Sequence, residues 1–105
     1  MYRVLYVDDD PRLLDVARFF LEETGEIQLE TARFATEALR RPGLAELDAI
    51  IADYEMPRMD GIAFLKQLRE AGNTIPFIIF TGKGREDAVI EAYNAGADFY
   101  LAKVR

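Results

Sequence analysis

The sequence predicts an α/β fold, a doubly wound parallel sheet of five strands and four alternating helices. Two observations carry that prediction. Short apolar runs rich in β-forming residues recur along the 105 residues, and the stretches between them place apolar residues at helical spacing. Alternation of this kind is satisfied by parallel strands with helices packed on the sheet faces, joined by right-handed crossovers. A third observation concerns chemistry: the residues just past several strands are carboxylates, a hydroxyl and an ammonium.

The elements follow in order. Tyr2 to Val7 is a near-continuous apolar run, the mark of a strand buried on both faces. Asp10-Pro11 supplies an N-cap and a proline at the first helical position. Leu13, Leu14, Ala17, Phe20 and Leu21 then repeat with a helical period, and Gly25 stops that helix. Ile27, Leu29 and Thr31 alternate with Gln28 and Glu30, an edge strand with one wet face. Thr36–Arg41 is a short helix ended by Pro42-Gly43, and Ala49–Ala52 is another buried strand. A loop runs from Asp53 to Asp60, followed by a helix marked by Ile62, Leu65 and Leu68 that ends near Gly72. Phe77–Phe80 is a strand, Thr81–Gly84 a loop, and Ala88, Val89, Ala92 and Tyr93 mark a helix ended by Gly96. Phe99–Ala102 is the last strand. A doubly wound sheet needs both faces covered. A final helix is therefore missing from the pattern: the chain reads as one domain, 1–105, expected to be a C-terminally truncated fragment unless the next segment packs differently.

Composition narrows the function. Half the residues are hydrophobic and 30% are charged, as in an ordinary globular domain. The net charge of -6 disfavours direct binding to nucleic acid or anionic membranes. No apolar run reaches membrane length. The absence of Cys excludes disulfides and thiol chemistry and fits the cytoplasm. The absence of His means that any phosphohistidine involved belongs to another molecule.

Ligands of open α/β sheets bind at the carboxyl ends of the strands. There the first strand delivers Asp8-Asp9-Asp10, the third Asp53, the fourth Thr81 and the fifth Lys103. Gathered carboxylates repel unless a proton or cation intervenes. Mg²⁺ takes hard oxygen ligands, often one or two carboxylates plus a phosphate. That leaves a carboxylate free to act as nucleophile and form an aspartyl phosphate. A metal and a lysine would neutralise charge on the transferring group. Each residue also has an ordinary reading. Asp10 before Pro11 and Asp60 before Gly61 suit helix caps, Thr81 a loop hydroxyl and Lys103 a surface charge. Convergence at one edge distinguishes the set.

At these residues the sequence resembles the receiver domains of two-component response regulators. The resemblance covers essentially the whole chain. It rests on Val4-Leu5-Tyr6-Val7-Asp8-Asp9-Asp10, on Asp53 to Gly61, on Phe80-Thr81-Gly82 and on Gly96 to Lys103, in that order and spacing. It implies a flavodoxin-like sheet of order 2-1-3-4-5. It also implies Mg²⁺-dependent phosphoryl transfer from a partner phosphohistidine to Asp53. Asp9 would be the direct metal ligand, Asp8 would help through water, and the backbone carbonyl of Glu55 would complete the protein's share. Thr81 would be the switch hydroxyl, Lys103 the phosphate's ion-pair partner, and Tyr100 the aromatic switch. Implied partners are a sensor histidine kinase or phosphotransfer protein, an effector, and a second copy in a homodimer. The domain would be a switch rather than an enzyme.

Two departures from the family pattern bear on this. Val104 stands where proline usually follows the lysine, so a trans bond is expected before it. Without the final helix, apolar surface should be exposed, favouring self-association or low stability. Glu55 and Lys83, each two residues past Asp53 and Thr81, could pair and screen the water that hydrolyses the acyl phosphate. Two other classes compete. An Asp-nucleophile phosphohydrolase would need its nucleophile on the first strand and room for a cap domain. A phosphorylation-independent interaction domain would not need the whole acidic set. Thr81-Gly82-Lys83-Gly84 lacks the spacing of a nucleotide-binding P-loop.

Overall fold

The computed structural model describes residues 1–82 and 86–103. Its elements are β1 (Tyr2–Val7), α1 (Pro11–Glu22), β2 (Ile27–Ala32), α2 (Ala35–Arg40), a 3₁₀ turn (Leu44–Glu46), β3 (Ala49–Ala52), α3 (Gly61–Glu70), β4 (Phe77–Thr81), α4 (Glu86–Asn94) and β5 (Phe99–Ala102). The five strands form one parallel sheet of order β2-β1-β3-β4-β5, as expected. Strand order reverses between β1 and β3, and their carboxyl ends sit side by side, with Val7 opposite Ala52. The residues that follow, Asp8 and Asp53, are neighbours for that reason.

The helices cover the two faces unequally. Leu5, Val7, Ile50, Ala52, Phe77 and Ile79 point to one face, where they meet buried residues of α2, α3 and α4. Phe64 and Phe77 meet there edge to face, with centroids 5.5 Å apart. On the opposite face Val4, Tyr6 and Leu29 pack against Leu14 of α1. Among the described residues α1 alone covers that side, leaving beside it an apolar groove of about 380 Å³. Leu13, Val16 and Phe20 of α1 form one wall, and Ile78, Phe80 and Leu101 form the floor.

Three sequence expectations are corrected. β1 is not buried throughout: Tyr2 is exposed and Arg3 half-buried, and only Val4–Val7 are enclosed. The second helix starts and ends one residue early, at Ala35–Arg40 rather than Thr36–Arg41. Glu37 reaches back to accept a hydrogen bond from the Arg33 amide at 2.8 Å, which fixes the earlier start. The 3₁₀ turn at Leu44–Glu46 was not expected, because Pro42-Gly43 reads as a stop and one turn is too short to show a period. The capping expectations for Asp10 and Asp60 agree with the structure. Asp10 accepts from Arg12 N at 3.0 Å, and Asp60 accepts from Ala63 N at 2.8 Å.

Candidate functional site: an acidic cluster at the sheet's carboxyl edge

β1 ends by turning into α1, and β3 ends in the loop to α3. Asp53 N donates to Val7 O at 3.0 Å, which extends the sheet pairing by one residue and locks Asp53 beside Asp8. Gly61 is fitted tightly against the same point. A Cβ there would lie 2.3 Å from the Asp53 carbonyl oxygen, so only glycine lets α3 start so close to the strand end.

One carboxylate oxygen each from Asp8, Asp9 and Asp53 lies within 4.8 Å of the others. Asp8 is fully buried and Asp53 nearly so, while Asp9 is half-exposed at the mouth. Lys103 reaches in from the end of β5. Its Nζ donates to Asp8 Oδ2 at 2.9 Å and to Asp53 Oδ2 at 3.1 Å. Lys103 N donates to Thr81 O at 2.8 Å, so the β4–β5 pairing aims the side chain. Two of the three carboxylates, Asp8 and Asp53, thus share one ammonium. Burial pushes the Asp53 carboxyl above the ordinary carboxylate range. The charge and hydrogen bond of Lys103 oppose that rise, and Asp8 adds to it. Burial alone would lower Lys103, but its bonds to Asp8 and Asp53 outweigh it and hold the ammonium charged. An excess of buried negative charge on hard oxygens, open to solvent on Asp9's side, suits a small divalent cation.

The remaining predicted residues lie around this centre. Thr81 is buried at the end of β4, 1% exposed. Glu55 is exposed in the β3–α3 loop, where its amide donates to Asp53 Oδ1 at 3.4 Å. Asp9 and Glu55 line one open cleft with Tyr54, Met56 and Pro57. Tyr100 is half-buried on β5 against the α4 side of the core, and its amide donates to the Tyr93 hydroxyl at 3.1 Å. Lys83 and Val104, on which the screening pair and the trans bond were expected, lie outside the described residues. Sequence reasoning missed Tyr6, whose hydroxyl donates to Asp8 Oδ2 at 2.8 Å. It reads as one more β-former in an apolar strand. Its place two residues before Asp8, hence on the same face, was the available signal.

Residues 4–104 match the family model described as the response regulator receiver domain. The chain belongs to that family. Receiver domains act as switches in two-component signalling, working with histidine kinases and effector domains. The chain is 35% identical over 101 residues to the response regulator MprA of Mycobacterium leprae, which covers 96% of this chain and 44% of that protein. It therefore spans less than half the length of the curated relatives it matches. The receiver domain from Clostridium thermocellum superposes with a TM-score of 0.87 at 31% identity, covering all of this chain and 84% of that one. The response regulator TrrA of Thermotoga maritima, solved in complex with Mg²⁺ and BeF, superposes at 0.87 with 28% identity, covering 99% of this chain and 88% of that one. The receiver fold is thus present from β1 to β5. No helix among the described residues is long and apolar enough to cross a membrane.

Proposed function

We propose that this receiver domain takes a phosphoryl group from a partner's phosphohistidine onto Asp53, with Mg²⁺ bound beside it. The observation that carries the reading is Lys103 Nζ bridging Asp8 and Asp53, with Asp9 completing the acidic cluster. A carboxylate oxygen of Asp53 attacks phosphorus, the bond between phosphorus and the donor imidazole nitrogen breaks, and that nitrogen leaves with the bonding pair. Asp53 becomes an acyl phosphate. Asp8, Asp9 and Asp53, with the backbone carbonyl of Glu55, would hold Mg²⁺, which when bound supplies positive charge against the transferring oxygens. Lys103 is already within 3.1 Å of Asp53 and turns its ammonium to the phosphoryl oxygens. Thr81, at the end of the neighbouring strand, donates its hydroxyl to the same group. The new charge and acceptor oxygens thereby draw the ends of β4 and β5 toward Asp53, and Tyr100 repacks with them.

The decisive experiment is intact mass after incubation with Mg²⁺ and acetyl phosphate, for wild type and Asp53→Asn. The expected result is a Mg²⁺-dependent gain of one phosphoryl group that Asp53→Asn abolishes. A gain that survives in Asp53→Asn would place the acceptor elsewhere. No gain and no Mg²⁺ binding would favour a phosphorylation-independent interaction domain.

A further inference from the structure

Tyr6 is the residue of the site that the chemistry above does not use. It is 3% exposed, in β1, on the face that packs against α1. Its ring lies among Val4, Leu14 and Leu29 and meets Phe80 edge to face at 6.3 Å. Phenylalanine would fill that space without burying a hydroxyl, and a buried hydroxyl is costly unless it is bonded. The bond it makes is to Asp8 Oδ2, at 2.8 Å.

That oxygen has two donors, Tyr6 and Lys103, while Asp8 Oδ1 accepts from Asp10 N at 3.0 Å. The two donors differ in what phosphorylation does to them. Lys103 is shared with Asp53 and is drawn toward charge added there. Tyr6 contacts Asp8 from the strand interior and has no reason to leave. Without Tyr6, a turn of Lys103 to the phosphoryl group would remove both side-chain donors to Asp8 Oδ2 and leave the orientation of the carboxylate to the Asp10 amide on Oδ1.

We propose that Tyr6 is a positioning residue: its hydroxyl fixes the Asp8 carboxylate for the cation and stays as its side-chain donor when Lys103 turns to the phosphoryl group. This rests on the reading of Asp8 as part of a Mg²⁺ site. Partners that orient metal-binding groups from behind change metal affinity by about 10–100-fold when removed. Tyr6→Phe should therefore weaken Mg²⁺ binding by about tenfold. The labelling rate with acetyl phosphate should fall at low Mg²⁺ and recover toward wild type at saturating Mg²⁺.

The test is calorimetric titration of Mg²⁺ into the full chain, alongside labelling rates across a Mg²⁺ series. It compares wild type, Tyr6→Phe and Leu29→Val. Leu29 is in the same cluster and does not touch Asp8, so its variant loosens the packing and leaves the carboxylate held. The expected pattern is weaker Mg²⁺ binding in Tyr6→Phe alone. If Tyr6→Phe binds Mg²⁺ within twofold of wild type, the positioning role is overturned and the proposed function stands. Equal weakening in Tyr6→Phe and Leu29→Val would reduce Tyr6 to a packing residue. If wild type itself binds no Mg²⁺, the proposed function falls and this inference with it.

Discussion

Asp53 carries opposing demands. In the proposed transfer it must be ionised to attack phosphorus, yet it is nearly buried beside Asp8, and burial holds its carboxyl above the ordinary range. A pKa higher in the fold than in the unfolded chain means that the fold holds the proton more tightly. Asp53 therefore favours folding below the unfolded value of about 3.9. That contribution is lost as pH rises through the folded value, and at neutral pH the ionised group is a net cost. With a chelator present, Asp53→Asn should melt above wild type at about pH 7, and the gap should close at about pH 4. Melting curves at the two pH values decide it, and a variant less stable than wild type at neutral pH would show that Lys103 fully offsets the burial. The candidate residues were legible in the sequence because each follows a strand, and parallel strands bring their carboxyl ends to one edge. Tyr6 was legible only through its place two residues before Asp8, because an apolar strand otherwise looks the same whether or not one of its rings carries a bonded hydroxyl.

Elements position these residues through a few close fits. The start of α3 is the tightest. Asp60 caps it, Gly61 N donates to Tyr54 O at 2.9 Å, and the Gly61 backbone leaves no room for a Cβ against Asp53. Gly61→Ala should cost about 1–3 kcal/mol by overpacking. It should lower the urea midpoint by about 1 M and slow labelling of Asp53 beyond the loss in folded fraction. Urea unfolding and labelling rates measured on the same preparation separate the two effects. Asp60→Ala should cost about 1 kcal/mol through the lost cap and leave Asp53 chemistry near wild type. Element types and order were legible from period and punctuation, since strands of four to six residues and helices of six to twelve carry clear apolar patterns. Ends were less so. A helix end depends on side chains such as Glu37 turning back to the backbone, which no apolar period records.

At the scale of the whole molecule the sheet is covered by three helices on one side and by α1 alone on the other, among the described residues. Phe20 on α1 and Phe99 and Leu101 on β5 are 63%, 60% and 49% exposed for that reason. The sequence marked Phe20 as a core position by its spacing. Spacing reports which way a residue faces and does not report what covers it. The isolated 105-residue chain should bind a hydrophobic dye and self-associate with rising concentration. Phe20→Lys should reduce both with little change in melting temperature, because the ring buries little. Sedimentation velocity across a concentration series provides the check.

The same uneven coverage sets an order of opening. β5 is an edge strand with no fully buried residue, paired to β4 alone, whereas β1 and β3 lie inside the sheet. Local unfolding starts where few apolar contacts hold the backbone. The amides of β5 should therefore exchange with deuterium fastest among the strands, at an opening free energy well below that of β1 and β3. Lys103 rides on the end of this strand. In the proposed phosphorylation of Asp53, the ammonium that changes partners is mounted on the strand that costs least to displace, whereas Asp8 and Asp53 are fixed to strands inside the sheet.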